Sequence, residues 1–266
     1  MHWKRDIELL TPTFCRGAYQ DTPEIRVPSI RGMARWWFRA LSGSPDEEKA
    51  AFGGMKKFGR ALSGQVVASH LVFRVLETNA ARATPDPATL PHKAGGQSSP
   101  QAAFAPGGSF QLEVFSRYSS LPAHLIRKVE SALEVWTLLG SLGLRANRAG
   151  GSLWPLGEAV PQTPADLRQR LDALGCNWPV YLASEELGQE VPALRAAATD
   201  TVSEPQWLFG SARRERLASP LKLKVVRLSG TLRLLITAPE ERMIAEARRA
   251  LAGHRSKPET WTTIAV

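Results

Sequence analysis

The sequence contains only two cysteines, Cys15 and Cys176, and they lie far apart along the chain. Without a C-x-x-C pair, neither a zinc ribbon nor a disulfide framework is predicted, and we expect both thiols to be reduced and buried. The chain also lacks any apolar run close to the roughly 18 residues that a membrane span requires. We therefore expect a cytoplasmic protein that has no membrane partner.

Lysine is scarce beside arginine. The 34 basic residues are 25 arginines and 9 lysines, and the formal net charge is +9. Arginine presents a planar fork that binds phosphate bidentately and stacks on bases, whereas lysine acts as a hydrated point charge. A GC-rich genome would produce the same excess of arginine over lysine, so composition alone does not indicate phosphate binding. The positions of the arginines along the chain have to be considered.

The strongest local signal lies in residues 27–41. Ser29 after Pro28 is predicted to cap a helix whose first amides, that of Gly32 included, point at an anion such as a phosphate. At about 100° per residue the helix has an apolar stripe and, beside it, a stripe of arginines. The apolar stripe is Ile30, Ala34, Trp37 and Leu41, and the arginine stripe is Arg31, Arg35 and Arg39. Trp36 lies between them, where it could stack on a base or contact a partner.

The element order predicts an α+β fold of two ferredoxin-like lobes, each an antiparallel sheet with helices on one face. The predicted elements are a strand at 6–14, the arginine helix, a second helix from Ser44, strands at 66–77 and 109–118, a helix at 121–139, a short helix after Thr163, a hairpin at 221–237 and a helix at 239–251. We place the first lobe at 1–160 and a second, degenerate or rearranged lobe at 161–266. Residues 79–108, rich in Ala, Pro, Gly, Ser and Thr, are predicted to form a mobile or extended excursion.

Three clusters combine glycine with positive charge, and each has an alternative reading as a turn or a solvated loop. They are residues 51–60 with Gly53, Gly54, Lys56 and Lys57, residues 140–153 with Arg145 and Arg148, and residues 209–224 with Arg213 and Arg214. The first cluster is not a P-loop, because Arg60-Ala61 stands where the Lys-Ser/Thr pair would be. In the third cluster, Lys222 and Lys224 share one face of a predicted strand.

Taken together and in this order, these segments resemble the RAMP superfamily of CRISPR-associated proteins. The resemblance rests on the Pro28-Ser29-Ile30-Arg31-Gly32 helix start, a Phe-Gly motif and the glycine-rich arginine loop. Within the superfamily, residues 24–40 and 217–221 look most like the subunit-one family of the type III-B Cmr effector complex. The resemblance implies two ferredoxin-like lobes and partners that are CRISPR guide RNA, target RNA and other Cmr complex subunits.

Three functions remain open at this point. The first is a non-catalytic RNA-binding subunit that needs no cofactor or metal and holds guide RNA, or the guide–target duplex, near the guide 3′ end. The second is an RNA endonuclease, for which Asp21 in the loop before the arginine helix is a weak candidate, since one carboxylate holds magnesium poorly. The third is a protein-interaction scaffold. The predicted RNA-binding residues are Arg26, Ser29, Arg31, Gly32, Arg35, Trp36, Arg39, Gly53, Gly54, Lys56, Lys57, Arg145, Arg148, Arg213 and Arg214.

Overall fold

The computed structural model describes residues 1–55, 66–117, 121–157, 160–184, 189–200, 205–211, 217–251 and 261–263. Its first part contains β1 (His2–Leu9), α1 (Val27–Ala40), α2 (Pro45–Phe52), β2 (Gly54–Met55), β3 (Val66–Val67), β4 (Leu71–Asn79), β5 (Ser109–Ser116), α3 (Ala123–Leu139) and β6 (Leu153–Pro155). Its second part contains α4 (Pro164–Ala173), β7 (Val180–Ala183), α5 (Val191–Thr199), α6 (Gln206–Phe209), β8 (Lys222–Leu228), β9 (Thr231–Thr237), α7 (Glu241–Leu251) and β10 (Trp261–Thr263).

The strands form two antiparallel four-stranded sheets, in the orders β4-β5-β1-β6 and β10-β7-β9-β8. In each sheet the first and third strands of a βαββαβ unit are central and the second and fourth are at the edges. This is the ferredoxin-like arrangement, and it confirms the predicted α+β fold class. The second sheet has the complete order, whereas the sequence predicted a degenerate or rearranged copy. The difference arises because β7 and β10 have only 4 and 3 residues, too few to show alternation.

Several boundaries follow from local signals in the sequence. Ser44 and Glu47 form the capping box that starts α2, and Thr163 forms the equivalent box with Asp166 at α4. Gly140 follows the last residue of α3. The first strand is an exception: it covers His2–Leu9 rather than residues 6–14, since Pro12 falls in the second half of the predicted span.

The segment at residues 80–108 is packed against the protein, whereas residues 79–108 were expected to form a mobile or extended excursion. Thr13 and Phe104 exchange backbone hydrogen bonds of 3.1 Å in both directions. Phe104, Ala102 and Ala103 are buried, and so is Thr89. Small residues allow this irregular segment to approach the neighbouring backbone closely. A segment whose composition is typical of a loop therefore still forms part of the core.

The two sheets are joined by contacts between buried groups. Lys224 on β8 is fully buried and donates to the Thr137 carbonyl at the end of α3, 2.7 Å away. Trp37 of α1 lies with its ring centroid 5.0 Å from that of Trp178, just before β7. These contacts fix α1 and the end of α3 against the second sheet. Within the part of the chain that the structure describes, no helix has both the length and the hydropathy to cross a bilayer.

Candidate functional site: a basic cleft

An open cleft of about 580 Å³ lies where α1, the glycine-rich loop at residues 143–148, and the described residues 209–211 and 217–222 meet. We call it the basic cleft. The side chains that define it are Met33, Trp36, Arg145, Asn147, Arg148, Phe209 and Lys222. No aspartate or glutamate is found among the described residues that line it. The cleft therefore brings together parts of three of the predicted motifs, and its described lining carries positive charge without a carboxylate.

Lys222 forms one wall of the cleft and is buried although it carries an ammonium group. Its Nζ donates to Asn147 Oδ1 at 2.9 Å and lies 4.0 Å from the centroid of the Trp36 ring. Burial lowers the pKa of Lys222 to about 8, and repulsion from Arg148 adds to the effect. The ammonium group thus covers one face of Trp36, and the predicted stacking of a base on Trp36 is restricted to what Lys222 leaves open.

Arg148 holds the glycine-rich loop to the second part of the chain. Its guanidinium donates to the carbonyls of Phe209, at 2.7 Å, and Asn147, at 2.8 Å. Backbone hydrogen bonds between residues 147–149 and Leu223 extend the link to β8. Burial, followed by repulsion from Arg145, lowers the pKa of Arg148 to about 10, so it remains charged at neutral pH. Arg148 therefore contributes positive potential while its donors hold the wall of the cleft.

Arg145 is the cleft arginine that faces solvent. Its side chain makes no hydrogen bond or ion pair with any residue in the described part of the chain. Its backbone has a φ of +62°, in the left-handed region that few arginines adopt. Such a conformation persists only where the surrounding structure enforces it.

Two glycines give the loop its shape. Gly151 has a φ of +59°, and a Cβ there would lie 1.9 Å from the Leu142 carbonyl oxygen. At Gly143, with a φ of +91°, a Cβ would lie 2.6 Å from the Phe14 carbonyl oxygen. No other residue fits without moving backbone, so the glycines bring the loop onto residues 14 and 142.

The arginine stripe of α1 does not line the basic cleft. Arg35 and Arg39 both bind the buried carboxylate of Glu48 on α2, with N–O distances of 2.6 and 2.8 Å, and Arg31 donates to the Phe52 carbonyl. Burial would raise the pKa of Glu48, but its hydrogen bonds with the two guanidiniums prevail and the pKa is lowered. The stripe therefore holds α1 to α2, a role that no local sequence pattern indicated.

The predicted anion site at the helix start is also corrected. The N-cap of α1 is Arg26, without a side-chain capping bond, so Ser29 is not the cap but the third residue of the first turn, and Gly32 lies further inside the helix. Gly53 donates its amide to the Lys49 carbonyl at 2.9 Å to end α2. Gly54 pairs with Val67 in a two-stranded ribbon. Gly53 and Gly54 therefore have structural roles, and the assignment of all four residues to RNA binding stays a prediction.

The remaining predicted residues are distributed as follows. The Arg26 guanidinium lies 3.5 Å from the Arg16 carbonyl, away from the cleft. Asp21 is exposed and accepts a hydrogen bond from Thr22 at 3.2 Å, and it does not line the cleft. Lys56, Lys57, Arg213 and Arg214 lie outside the described residues, so their assignment stays a prediction. In the described ranges, no group of three or more His, Cys, Asp or Glu side chains is placed to hold a metal.

Two side chains that line the cleft, Lys222 and Asn147, were not among the predicted site residues. The alternation of β8 had placed Lys222 and Lys224 on one face, but that face is buried rather than solvated. The available signal was that hydrophobic residues flank both Lys222 and Lys224. A strand that is buried on both faces has a nearly continuous apolar sequence, so these neighbours indicated that the lysines are buried.

Comparison with known families gives one match that covers more than half of the chain. The model of the RAMP superfamily matches residues 6–154. Two curated relatives come from Pyrococcus furiosus. The Cmr subunit Cmr1-2 is 53% identical over 38 residues, which cover 14% of this chain and 20% of the relative. The Cmr subunit Cmr1-1 is 29% identical over 161 residues, which cover 56% of this chain and 46% of the relative. The matched parts span less than half the length of either relative.

Solved structures show the same fold at low identity. The crystal structure of Cmr1 from Pyrococcus furiosus in its apo form matches with a TM-score of 0.58 and 19% identity, over 90% of this chain and 87% of that one. A chain in the cryo-EM structure of the type III-B Cmr-beta complex bound to cognate target RNA matches with a TM-score of 0.53 and 9% identity, over 88% and 93%. At these identities the likeness establishes the fold alone.

Proposed function

Because the chain belongs to the RAMP superfamily, we propose that it is a cytoplasmic, RNA-binding and non-catalytic subunit of a type III-B Cmr effector complex. In this role it holds guide RNA, or the guide–target duplex near the guide 3′ end, for antiviral defence, beside other Cmr subunits. The proposal keeps the division into a first lobe at 1–160 and a second at 161–266. The curated relatives are Cmr subunits, and one structural neighbour belongs to a complex bound to target RNA.

The basic cleft is the observation that carries the proposal. Arg145, Arg148 and Lys222 converge there without an acidic residue among the described lining. Their pKa values are lowered by burial, and those of Arg148 and Lys222 also by repulsion among the cleft cations, so the cleft concentrates positive charge that an anionic ligand would stabilise. A phosphate backbone supplies the missing negative charge, and each phosphate neutralised on single-stranded RNA contributes about 0.7 to the log–log salt slope.

The test is RNA binding by the wild type and by an Arg145→Gln/Lys222→Met double variant, measured by fluorescence anisotropy over a series of salt concentrations. The matched control is Arg82→Gln, which removes an exposed arginine that pairs with Asp86 far from the cleft. We expect the double variant to lose at least tenfold in affinity and about 1.4 from the salt slope, that is about 0.7 for each of two phosphates. Equal affinity of all three proteins would favour the scaffold function and overturn the RNA-binding one.

Two further experiments test the rest of the proposal. Purification of the tagged chain from a host that carries its operon should recover repeat-derived guide RNA together with other Cmr subunits. Incubation with labelled RNA should give no cleavage, and an Asp21→Ala variant should behave identically. Cleavage that depends on Asp21 would show an endonuclease and overturn the non-catalytic part of the proposal.

A further inference from the structure

The basic cleft has an apolar edge as well as its cations. Four leucines in the described part of the chain are exposed, and two of the four, Leu144 and Leu217, line this cleft, with exposed fractions of 43% and 44%. We call these two residues the leucine rim. The other two, Leu76 and Leu156, lie outside the cleft. A single exposed leucine is ordinary on a protein surface, but two in one cleft provide apolar surface where a ligand binds.

Hydrogen bonds hold the backbone of both rim residues in place. The Leu144 amide donates to the Phe14 carbonyl at 3.0 Å. Leu217 and Ser211 exchange backbone hydrogen bonds, and both bonds measure 3.0 Å. Since these bonds fix the backbone of each leucine, the apolar surface of the leucine rim is available to a ligand without a rearrangement of the fold.

Trp36 lines the same cleft but is already engaged by its neighbours. Lys222 Nζ lies 4.0 Å from the centroid of the Trp36 ring and covers one face of it. The rings of Trp37 and Trp178 pack against Trp36 in edge-to-face geometry, with centroid distances of 4.9 and 5.8 Å. The tryptophan is therefore half-buried among these groups, and the exposed apolar contact that the cleft offers comes from the leucine rim.

The leucine rim lies next to the exposed cation of the cleft. Arg145 follows Leu144 directly in the chain, and both residues line the cleft and are exposed. An RNA duplex presents its phosphates outward and keeps the faces of its bases stacked inside, whereas an unpaired strand exposes both. A duplex would therefore contact the cations alone, and a single strand would contact the cations and the leucine rim together. The cleft volume of about 580 Å³ lies within the range of about 300–1,000 Å³ that is usual for small-ligand pockets, so it suits a nucleotide.

We propose that the basic cleft selects single-stranded RNA and receives one unpaired base against Leu144 and Leu217, while Arg145 binds a neighbouring phosphate. This inference rests on the proposed RNA-binding function, and it favours an unpaired strand over the guide–target duplex. The contact uses the face of the base, which all four bases have, so the affinity should depend little on base identity.

The experiment measures the binding of three ligands by fluorescence anisotropy at one salt concentration. They are a short RNA strand, the same strand annealed to its complement, and a strand of equal length whose sugars carry no bases. The wild type should bind the intact single strand about fivefold more tightly than the base-free strand, because only the intact strand buries apolar surface on the leucine rim. It should also bind the single strand more tightly than the duplex. The duplex has the higher charge density, so electrostatics alone predicts the opposite order, and tighter binding of the duplex overturns the inference.

The test variant is Leu144→Ser/Leu217→Ser, and the matched control is Leu76→Ser/Leu156→Ser, which removes the two exposed leucines outside the cleft. The test variant should lose about fivefold in affinity for the intact single strand and nothing for the duplex or the base-free strand. Its salt slope should be unchanged, because no phosphate contact is removed. The control should bind all three ligands as the wild type does. Unchanged affinity of the test variant for the single strand overturns the inference.

A structural role of the leucine rim is tested separately. Thermal unfolding of the test variant should give a Tm close to that of the wild type, because the side chains that it replaces are exposed. Leu144→Met/Leu217→Met keeps the apolar surface and should retain the wild-type affinity for the single strand. If the methionine variant loses as much affinity as the serine variant, the inference is overturned. The comparison of the intact and base-free strands on the wild type holds whether or not a variant is stable.

The remaining outcomes separate this inference from the proposed function. Equal binding of the intact and base-free strands by the wild type would show that the cleft contacts phosphates alone, so the inference would be overturned while RNA binding stands. If the serine variant binds RNA normally but no longer recovers other Cmr subunits from the host, the leucine rim is a protein interface and the inference is overturned. If the wild type binds none of the three ligands, the proposed function fails as well.

Discussion

The arginine stripe of α1 and the basic cleft are both rich in positive charge, and they differ in what faces that charge. Glu48 faces the stripe and binds Arg35 and Arg39 at once. In the cleft, the described residues that surround Arg145, Arg148 and Lys222 include no carboxylate. A cation with a counter-charge inside the fold stabilises the fold, whereas a cation without one favours an external anion. Local charge balance, more than charge density, therefore distinguishes a structural cluster from a binding surface.

Replacement of Glu48 should have the largest effect, and on stability alone. Glu48→Gln leaves Arg35 and Arg39 without their shared carboxylate, and because both arginines are partly exposed we expect a loss of about 2 kcal/mol rather than the 3–5 of a fully buried pair. Urea unfolding measures this loss. Asp46→Asn, on the exposed side of the same helix, should change stability by less than about 0.5 kcal/mol. If Glu48→Gln instead strengthened RNA binding tenfold, the stripe would be an RNA-binding surface that the Glu48 carboxylate blocks.

The features that the sequence predicted correctly are those that depend on contacts between residues close together in the chain. Capping residues, helix periodicity and the β8–β9 turn act between near neighbours, so α1, α2, α3, α4 and the hairpin were predicted with the correct type. The pairing of Arg35 with Glu48 joins residues 13 positions apart on two different helices, and no local sequence pattern indicates it. The glycine-rich loop was identified as a site, but Asn147 and Lys222 are 75 positions apart, and only the fold brings them together.

Loss of the loop geometry should have the next largest effect. Gly151→Ala places a Cβ against the Leu142 carbonyl and strains a φ of +59°, so we expect a cost of about 2 kcal/mol, together with weaker RNA binding. Gly230→Ala is the control: its φ is +78° but nothing lies within 4 Å of the added Cβ, and about 1 kcal/mol is expected with RNA affinity unchanged. Equal costs at the two glycines would show that the loop relaxes freely.

Charge reversal in each cluster should separate stability from binding. Arg145→Glu should weaken RNA binding about tenfold, or about 1.4 kcal/mol, and leave unfolding nearly unchanged, since its side chain has no described partner to lose. Arg39→Glu should do the opposite, because it places a second carboxylate beside Glu48 and costs about 1 kcal/mol of stability. Anisotropy titration of both variants measures their RNA affinity, and urea unfolding measures their stability. The distinction between the clusters fails if both variants lose affinity equally.

The smallest effect expected is on the pH dependence of RNA binding. The pKa of Lys222 is lowered to about 8 by burial and by Arg148, so between pH 7 and pH 9 Lys222 loses its proton while Arg145 and Arg148 stay charged. Affinity should fall about threefold at constant ionic strength, as expected for the loss of one of several cations. Lys222→Met should bind more weakly at pH 7 and show a flat profile.

The sign of the linked stability change excludes unfolding as the cause of that fall. Unfolded lysine has its ordinary pKa of about 10.5, so between pH 8 and that value the unfolded state binds more protons than the folded state, and stability rises with pH. Fully buried Lys224, whose pKa is also lowered by burial, acts in the same direction. Affinity that falls while urea unfolding shows rising stability would locate the titrating group in the cleft. Affinity and stability that fall together would contradict this assignment.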